Sequence, residues 1–86
     1  MQFININDLN HRQYQEFINL YHKSFPLQER KPITYMKNLQ HKQKMSLYAI
    51  IINSNLVGLI IFINSKYGTI LDYLAIKKEY QSQGFG

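Results

Sequence analysis

The chain has 86 residues, enough for one small domain, with 45% hydrophobic and 17% charged residues, the balance of a folded chain rather than a disordered one. It contains no cysteine, which excludes a disulfide framework and a thiolate metal site, and its longest apolar run, "LVGLIIFI", is too short to span a bilayer. The net charge is +5, and the lysines (23, 31, 37, 42, 44, 66, 77 and 78) are scattered along the sequence, a pattern that favours an Ile-, Asn- and Lys-rich base composition over a block built for nucleic acid. The N-terminus "MQFININDLN" lacks the basic flank and apolar core of an export signal, so the expectation is a cytoplasmic protein with no membrane and no nucleic-acid partner.

In chain order, "QFINI" at residues 2–6 alternates apolar and polar residues and predicts a short strand. A helix follows: Tyr14, Phe17, Ile18, Tyr21 and Phe25 make one stripe at helical period. Asn10 is suited to the N-cap, Gln13 to the reciprocal bond of a capping box, and Leu9 with Tyr14 to a hydrophobic staple. Pro26 ends that helix by withholding a donor and restricting Phe25. After the polar connection "PLQERKPI", a second helix is expected from near Thr34, burying Tyr35, Met36 and Leu39.

From Leu47 the period changes. "LYAIII" and "LVGLIIFI" flank Asn53, Ser54 and Asn55 and read as an antiparallel hairpin, and a turn at "NSKYG" leads to a third strand, "TILDYLAI". The order strand, helix, helix, strand, strand, strand predicts an α/β (α+β) sandwich with a mainly antiparallel sheet. The hairpin strands are apolar almost throughout, so both sheet faces are expected to be covered, a task too large for two helices.

The chain closes on "LDYLAIKKEYQSQGFG". Glycines after a strand let successive N–H groups converge into an anion-binding nest. This block resembles motif A of the GNAT (Gcn5-related N-acetyltransferase) superfamily: an apolar-Ala-apolar strand end, a short turn, then Gln81, Gly84 and Gly86 at the defining positions. The element order is similar to the N-terminal half of that fold, and "SFPLQERKPI" is similar to the connection between the first two helices in a bacterial branch of the family.

The resemblance implies transfer of an acetyl group from acetyl-CoA to an amine by direct attack. It implies that the backbone of Leu74, Ala75 and Ile76 holds the pantetheine arm and that Gln81, Ser82, Gln83, Gly84, Phe85 and Gly86 form the pyrophosphate turn. Lys77 and Lys78 stand near the cofactor phosphates or are solvated strand-end lysines.

Asp72 is the candidate catalytic base, since an ammonium must lose a proton before it attacks. Strict alternation places Asp72 on one face with Ile70, Leu74 and Ile76; the alternative role is a hydrogen-bonded strand carboxylate. The shorter Asp departs from the Glu that many relatives carry. Glu29 and Arg30 are candidate acceptor-binding residues, or else a surface ion pair. His11, His22 and His41 have no partners at ligand spacing, so no metal is expected.

The resemblance further implies that residues 1–86 form one partial acetyltransferase domain that ends inside its cofactor motif. The isolated chain is then expected neither to bind acetyl-CoA measurably nor to acetylate amines unless a complementing C-terminal half is present. The alternative is a non-catalytic interaction module that forms a homodimer through an exposed sheet edge.

Overall fold

The computed structural model describes residues 1–81. They form an α+β domain: β1 (Gln2–Asn5), α1 (His11–Ser24), α2 (Ile33–His41), β2 (Met45–Ile52), β3 (Asn55–Ser65), β4 (Gly68–Ile76) and a single helical turn, α3 (Lys78–Tyr80). The four strands make one sheet in the order β1-β2-β3-β4, every pair antiparallel. Among the described residues β1 and β4 are therefore its two edges.

The first strand is one residue shorter than its alternation predicts. The Asn5 side chain accepts a hydrogen bond from the Asn7 N–H at 2.9 Å, which opens a 3-10 turn at Ile6–Asp8 and folds Ile6 into the core. Helix α1 starts with the expected capping box: Asn10 Oδ1 accepts from the Gln13 N–H (2.8 Å) and Gln13 Oε1 accepts from the Asn10 N–H (3.2 Å). Leu9 and Tyr14, the expected staple, both pack half-buried against the core.

Helix α2 begins at Ile33 behind Pro32, and this phase buries Met36 and half-buries Ile33 and Leu39. Tyr35 lies on the opposite side and is exposed, against the sequence expectation, because two residues along a helix turn a side chain roughly 200°. Gln43 takes a left-handed backbone (φ 63°) and the Lys44 N–H closes onto the Leu39 carbonyl at 2.8 Å, so the chain enters β2 already at Met45. The hairpin loop is only Asn53 and Ser54, with φ values of 50° and 67°, and Asn55 already pairs with Ile52. Two successive left-handed residues match the right-handed twist of the flanking strands.

Both helices pack on the same sheet face. Phe17, Leu20 and Tyr21 of α1 and Met36 of α2 meet Leu47, Ala49, Leu59, Ile61, Tyr73 and Ala75 in one core. Each large side chain removed from water there contributes roughly 1.5–3 kcal/mol. The opposite face is not covered as the apolar strands predict. It carries a small cluster of Ile50, Val57 and Ile76, with Tyr80 of α3 packed against it, while Phe3, Leu71 and Leu74 remain exposed. Gly58 lies in that row, between Ile50 and Ile76, where a Cβ would come within 2.7 Å of the Ala75 carbonyl oxygen.

Two irregularities interrupt the ladder. Ile51 pairs with Leu56 and Ile50 with Gly58, leaving Val57 extra on β3; Ile61 pairs with Tyr73 and Phe62 with Leu71, leaving Asp72 extra on β4. A bulge puts two residues opposite one and breaks the period of two. The predicted shared face for Asp72, Ile70, Leu74 and Ile76 is corrected accordingly. Ile70 is paired with core-side Ile63, whereas Leu74 and Ile76 fall on the other face with Ile60 and Gly58. No helix among the described residues is long and apolar enough to cross a membrane.

Candidate functional site

The segment between α1 and α2 lies against β4 and is fixed there by tyrosine hydroxyls. Tyr21, on the apolar stripe of α1, is fully buried, and its hydroxyl both donates to the Lys31 carbonyl (3.0 Å) and accepts from the Lys31 N–H (2.8 Å). The Tyr73 hydroxyl donates to the Glu29 carbonyl, and its ring packs edge-on against Tyr21 and Phe25. Burial, reinforced by the Tyr73 hydroxyl, pushes the Tyr21 pKa well above the ordinary tyrosine value.

This clamp holds Lys31 so that its ammonium donates to Asp72 Oδ2 at 2.8 Å and lies 5.0 Å from the centre of the Tyr73 ring. Burial works against the charge on Lys31, but the hydrogen bond and negative charge of Asp72 outweigh it and hold its pKa above the ordinary lysine value. Asp72 is thus turned towards the helices, at the bulge, as a strand carboxylate whose hydrogen-bond partner is an ammonium. Sequence reasoning missed Lys31. The available signal was Pro32, which restricts the residue before it to an extended backbone and so presents its side chain outside any helix.

The Glu29 side chain is exposed and Arg30 is half-buried, with its guanidinium donating to the His22 carbonyl at 3.5 Å. No ion pair joins Glu29 to Arg30 among the described residues. The fold therefore brings the backbone of Glu29, the side chain of Lys31 and Asp72 together, and leaves Arg30 bonded to α1.

At the other end of β4 the backbone is open. The Lys77 N–H donates to the Val57 carbonyl at 2.8 Å, which sets the phase of the ladder: Ala75 faces β3, while Leu74 and Ile76 turn their N–H and C=O groups to the free edge. Ala75 also buries its side chain in the core. The chain then turns through α3, and Gln81 Nε2 reaches back to the Ile76 carbonyl at 2.9 Å. Among the described residues the Leu74 N–H, the Leu74 C=O and the Ile76 N–H are left as a short polar ladder. Ser82, Gln83, Gly84, Phe85 and Gly86 lie outside the described residues.

Beside this edge, Lys77 donates to Glu16 Oε2 at 3.2 Å, and Arg12 donates to Glu16 Oε1 at 3.0 Å. Burial raises the Glu16 pKa, but these two cations outweigh it and hold the carboxyl below its ordinary value. A cleft of about 510 Å³ between α1 and α3 is lined by Glu16, Leu20, Ile76, Lys77 and Gln81. Lys78 is exposed. Among the described residues no three carboxylate or histidine side chains are grouped to hold a metal.

Chemically, the site offers a carboxylate paired with an ammonium and, two residues along the same strand, an edge with the geometry to pair with an extended chain. Comparison with protein-family models, with curated proteins and with solved structures gives no match.

Proposed function

We propose that the chain supplies the cofactor-facing part of an N-acetyltransferase fold of the GNAT type. The observation that carries this reading is the free edge of β4 at Leu74 and Ile76, running directly into the turn at Lys77–Gln81. The pantetheine amides of acetyl-CoA would pair with that edge as an added strand, and the phosphates would lie at the turn into residues 81–86. An acceptor ammonium near Asp72 would give a proton to the carboxylate, directly or through a water, and the resulting amine would attack the thioester carbonyl. The new C–N bond forms, the C–S bond breaks, and the second proton lost by the nitrogen goes to the leaving thiolate, which departs as the thiol of CoA. Glu29 and Arg30 border the acceptor side in this reading. One side of the cofactor is formed by β4, so transfer is proposed only when a complementing half stands opposite that edge.

Amide-resolved NMR titration of the chain with acetyl-CoA tests the cofactor side. Alone, the chain is expected to leave its amides unmoved; with a complementing C-terminal half added, the expected result is a selective shift of the Leu74 and Ile76 amides with Ala75 unmoved, and Asp72→Asn keeps those shifts. Micromolar binding by the chain alone, or saturating acetyl-CoA that leaves both edge amides in place when the half is present, overturns the reading.

The exposed side chains of Leu71 and Leu74 on the same edge strand favour one competing reading, an interaction module that forms a homodimer through β4 and does no chemistry. Sedimentation of a stable dimer indifferent to acetyl-CoA, and restored to monomer by Leu74→Lys, supports the module instead.

A further inference from the structure

The charge of this chain is distributed unevenly in a way that its scattered lysines conceal. Between Lys31 and Leu71 there is no Asp or Glu, but there are five lysines: 31, 37, 42, 44 and 66. Outside that stretch Arg12, Lys23, Arg30, Lys77 and Lys78 are balanced by Asp8, Glu16, Glu29, Asp72 and Glu79, so the whole net charge of +5 belongs to the acid-free segment.

The fold then gathers most of it in one place. Lys31, Lys42, Lys44 and Lys66 line an open groove of about 740 Å³ between the end of α2 and the β3–β4 turn. The geometry that does this is local. Gln43 breaks the helix with its left-handed backbone, and the Asn64 N–H donates to the Lys44 carbonyl at 2.9 Å, bringing the β3–β4 turn beside the helix end.

No carboxylate lines the groove, and of its four lysines only Lys31 has an ion-pair partner among the described residues. Gathering like charges is unfavourable in the free protein, so an anionic occupant gains from this surface. The groove also has features that a purely ionic surface lacks. Leu39, Met45 and Ile63 supply apolar lining, and Tyr35 stands in it 52% exposed. Next to Lys66, whose ammonium is 5.1 Å from the ring centre, Tyr67 is 89% exposed at the tip of the turn.

A basic groove with solvent-facing aromatic rings is suited to phosphates along a backbone and to bases with free faces. A duplex hides those faces, and an acidic peptide leaves the rings unused. We propose that this groove binds single-stranded nucleic acid, with phosphates at Lys42, Lys44 and Lys66 and a base stacked on Tyr67. The inference departs from the sequence expectation of no nucleic-acid partner, and it stands apart from the acetyl-transfer reading.

Fluorescence anisotropy with short labelled oligo-dT and oligo-U strands tests it on the full chain. With three phosphate contacts, the plot of log affinity against log salt has a slope of about −2, and Lys42→Ala or Lys44→Ala each reduces that slope by about 0.7. Lys23→Ala, on α1 outside the groove, leaves it unchanged. Tyr67→Ala weakens binding roughly 5- to 100-fold with the slope preserved. All four side chains are exposed, so the variants are expected to fold, and circular dichroism checks this. The proposal is overturned by no salt-dependent binding, by Lys23→Ala acting as strongly as Lys42→Ala, or by a duplex or polyglutamate binding as tightly and ignoring Tyr67→Ala.

Discussion

The Tyr21 hydroxyl meets both backbone polar groups of Lys31, a residue ten positions away, and so fixes where the Lys31 ammonium stands. Tyr21→Phe fills the same space but leaves a part-buried N–H and C=O without that partner. The expected cost is about 1–3 kcal/mol, read as a lower denaturation midpoint at unchanged m-value. The variant is also expected to loosen the Lys31–Asp72 pair, seen as broadening of the Asp72 carboxyl resonance. Asp72→Asn at the surface end of the same chain of contacts should cost less, about 1 kcal/mol, because both partners keep contact with water. A larger loss for Asp72→Asn than for Tyr21→Phe would show that the ion pair, not the hydroxyl, organises the connection.

At the scale of elements, β3 and β4 decide whether the open edge has its described phase. Gly58→Ala would force a Cβ against the Ala75 carbonyl oxygen and the Ile76 side chain, both at 2.7 Å, and against Ile50 at 3.3 Å. A strand carbonyl cannot yield as a side-chain tip can, so about 1–3 kcal/mol of destabilisation is expected by thermal unfolding, with the amides of Leu74 and Ile76 shifted. The elements themselves were largely legible in the sequence. The stripe from Tyr14 to Phe25, the Asn10 cap and the β-branched runs after Leu47 are local signals, and local hydrogen bonding and periodic burial answer them. The bulges were not legible, because an extra residue is visible only once its partner strand is known. Tyr35 reads as core because it precedes Leu39 by one helical turn, but the buried stripe is centred on Ile33, Met36 and Leu39, and Tyr35 falls outside it. The candidate site was legible in part: Asp72 and the β4 edge lie in one continuous stretch, whereas Lys31 and Tyr21 reach it only through tertiary packing.

For the whole molecule, the perturbed groups define a pH window. Tyr21 stays protonated in the fold beyond its ordinary value of 10.0 and Lys31 beyond 10.5, so the unfolded chain releases both protons first. Their contribution is therefore complete below about pH 10 and is lost as pH rises through the folded values. Glu16 has the opposite sign: its carboxylate is favoured in the fold, so its contribution is present above its ordinary value of 4.5 and is lost as pH falls through the folded value. Thermal melts across pH are expected to show a plateau between roughly pH 5 and 9.5 with losses on both sides. Tyr21→Phe should flatten the alkaline side, and an alkaline limb unchanged in that variant would contradict the assignment. The charge layout was the least legible feature at this scale. Reading lysines one by one along the chain hides a segment that lacks any carboxylate, and only the meeting of the α2 end with the β3–β4 turn makes that segment one surface.

The bulge at Asp72 has a further consequence for how this strand tolerates change. On either side of it the pairs Phe62 with Leu71 and Ile61 with Tyr73 are consecutive on β3. Removing the single codon for Asp72 would therefore close the ladder without shifting the register of any other residue, and the acid-bearing position is separable from the strand that carries it. A one-residue deletion there should give a folded protein with an unaltered core and no carboxylate opposite Lys31, which is a cleaner way to lose that group than any substitution that keeps a side chain in its place.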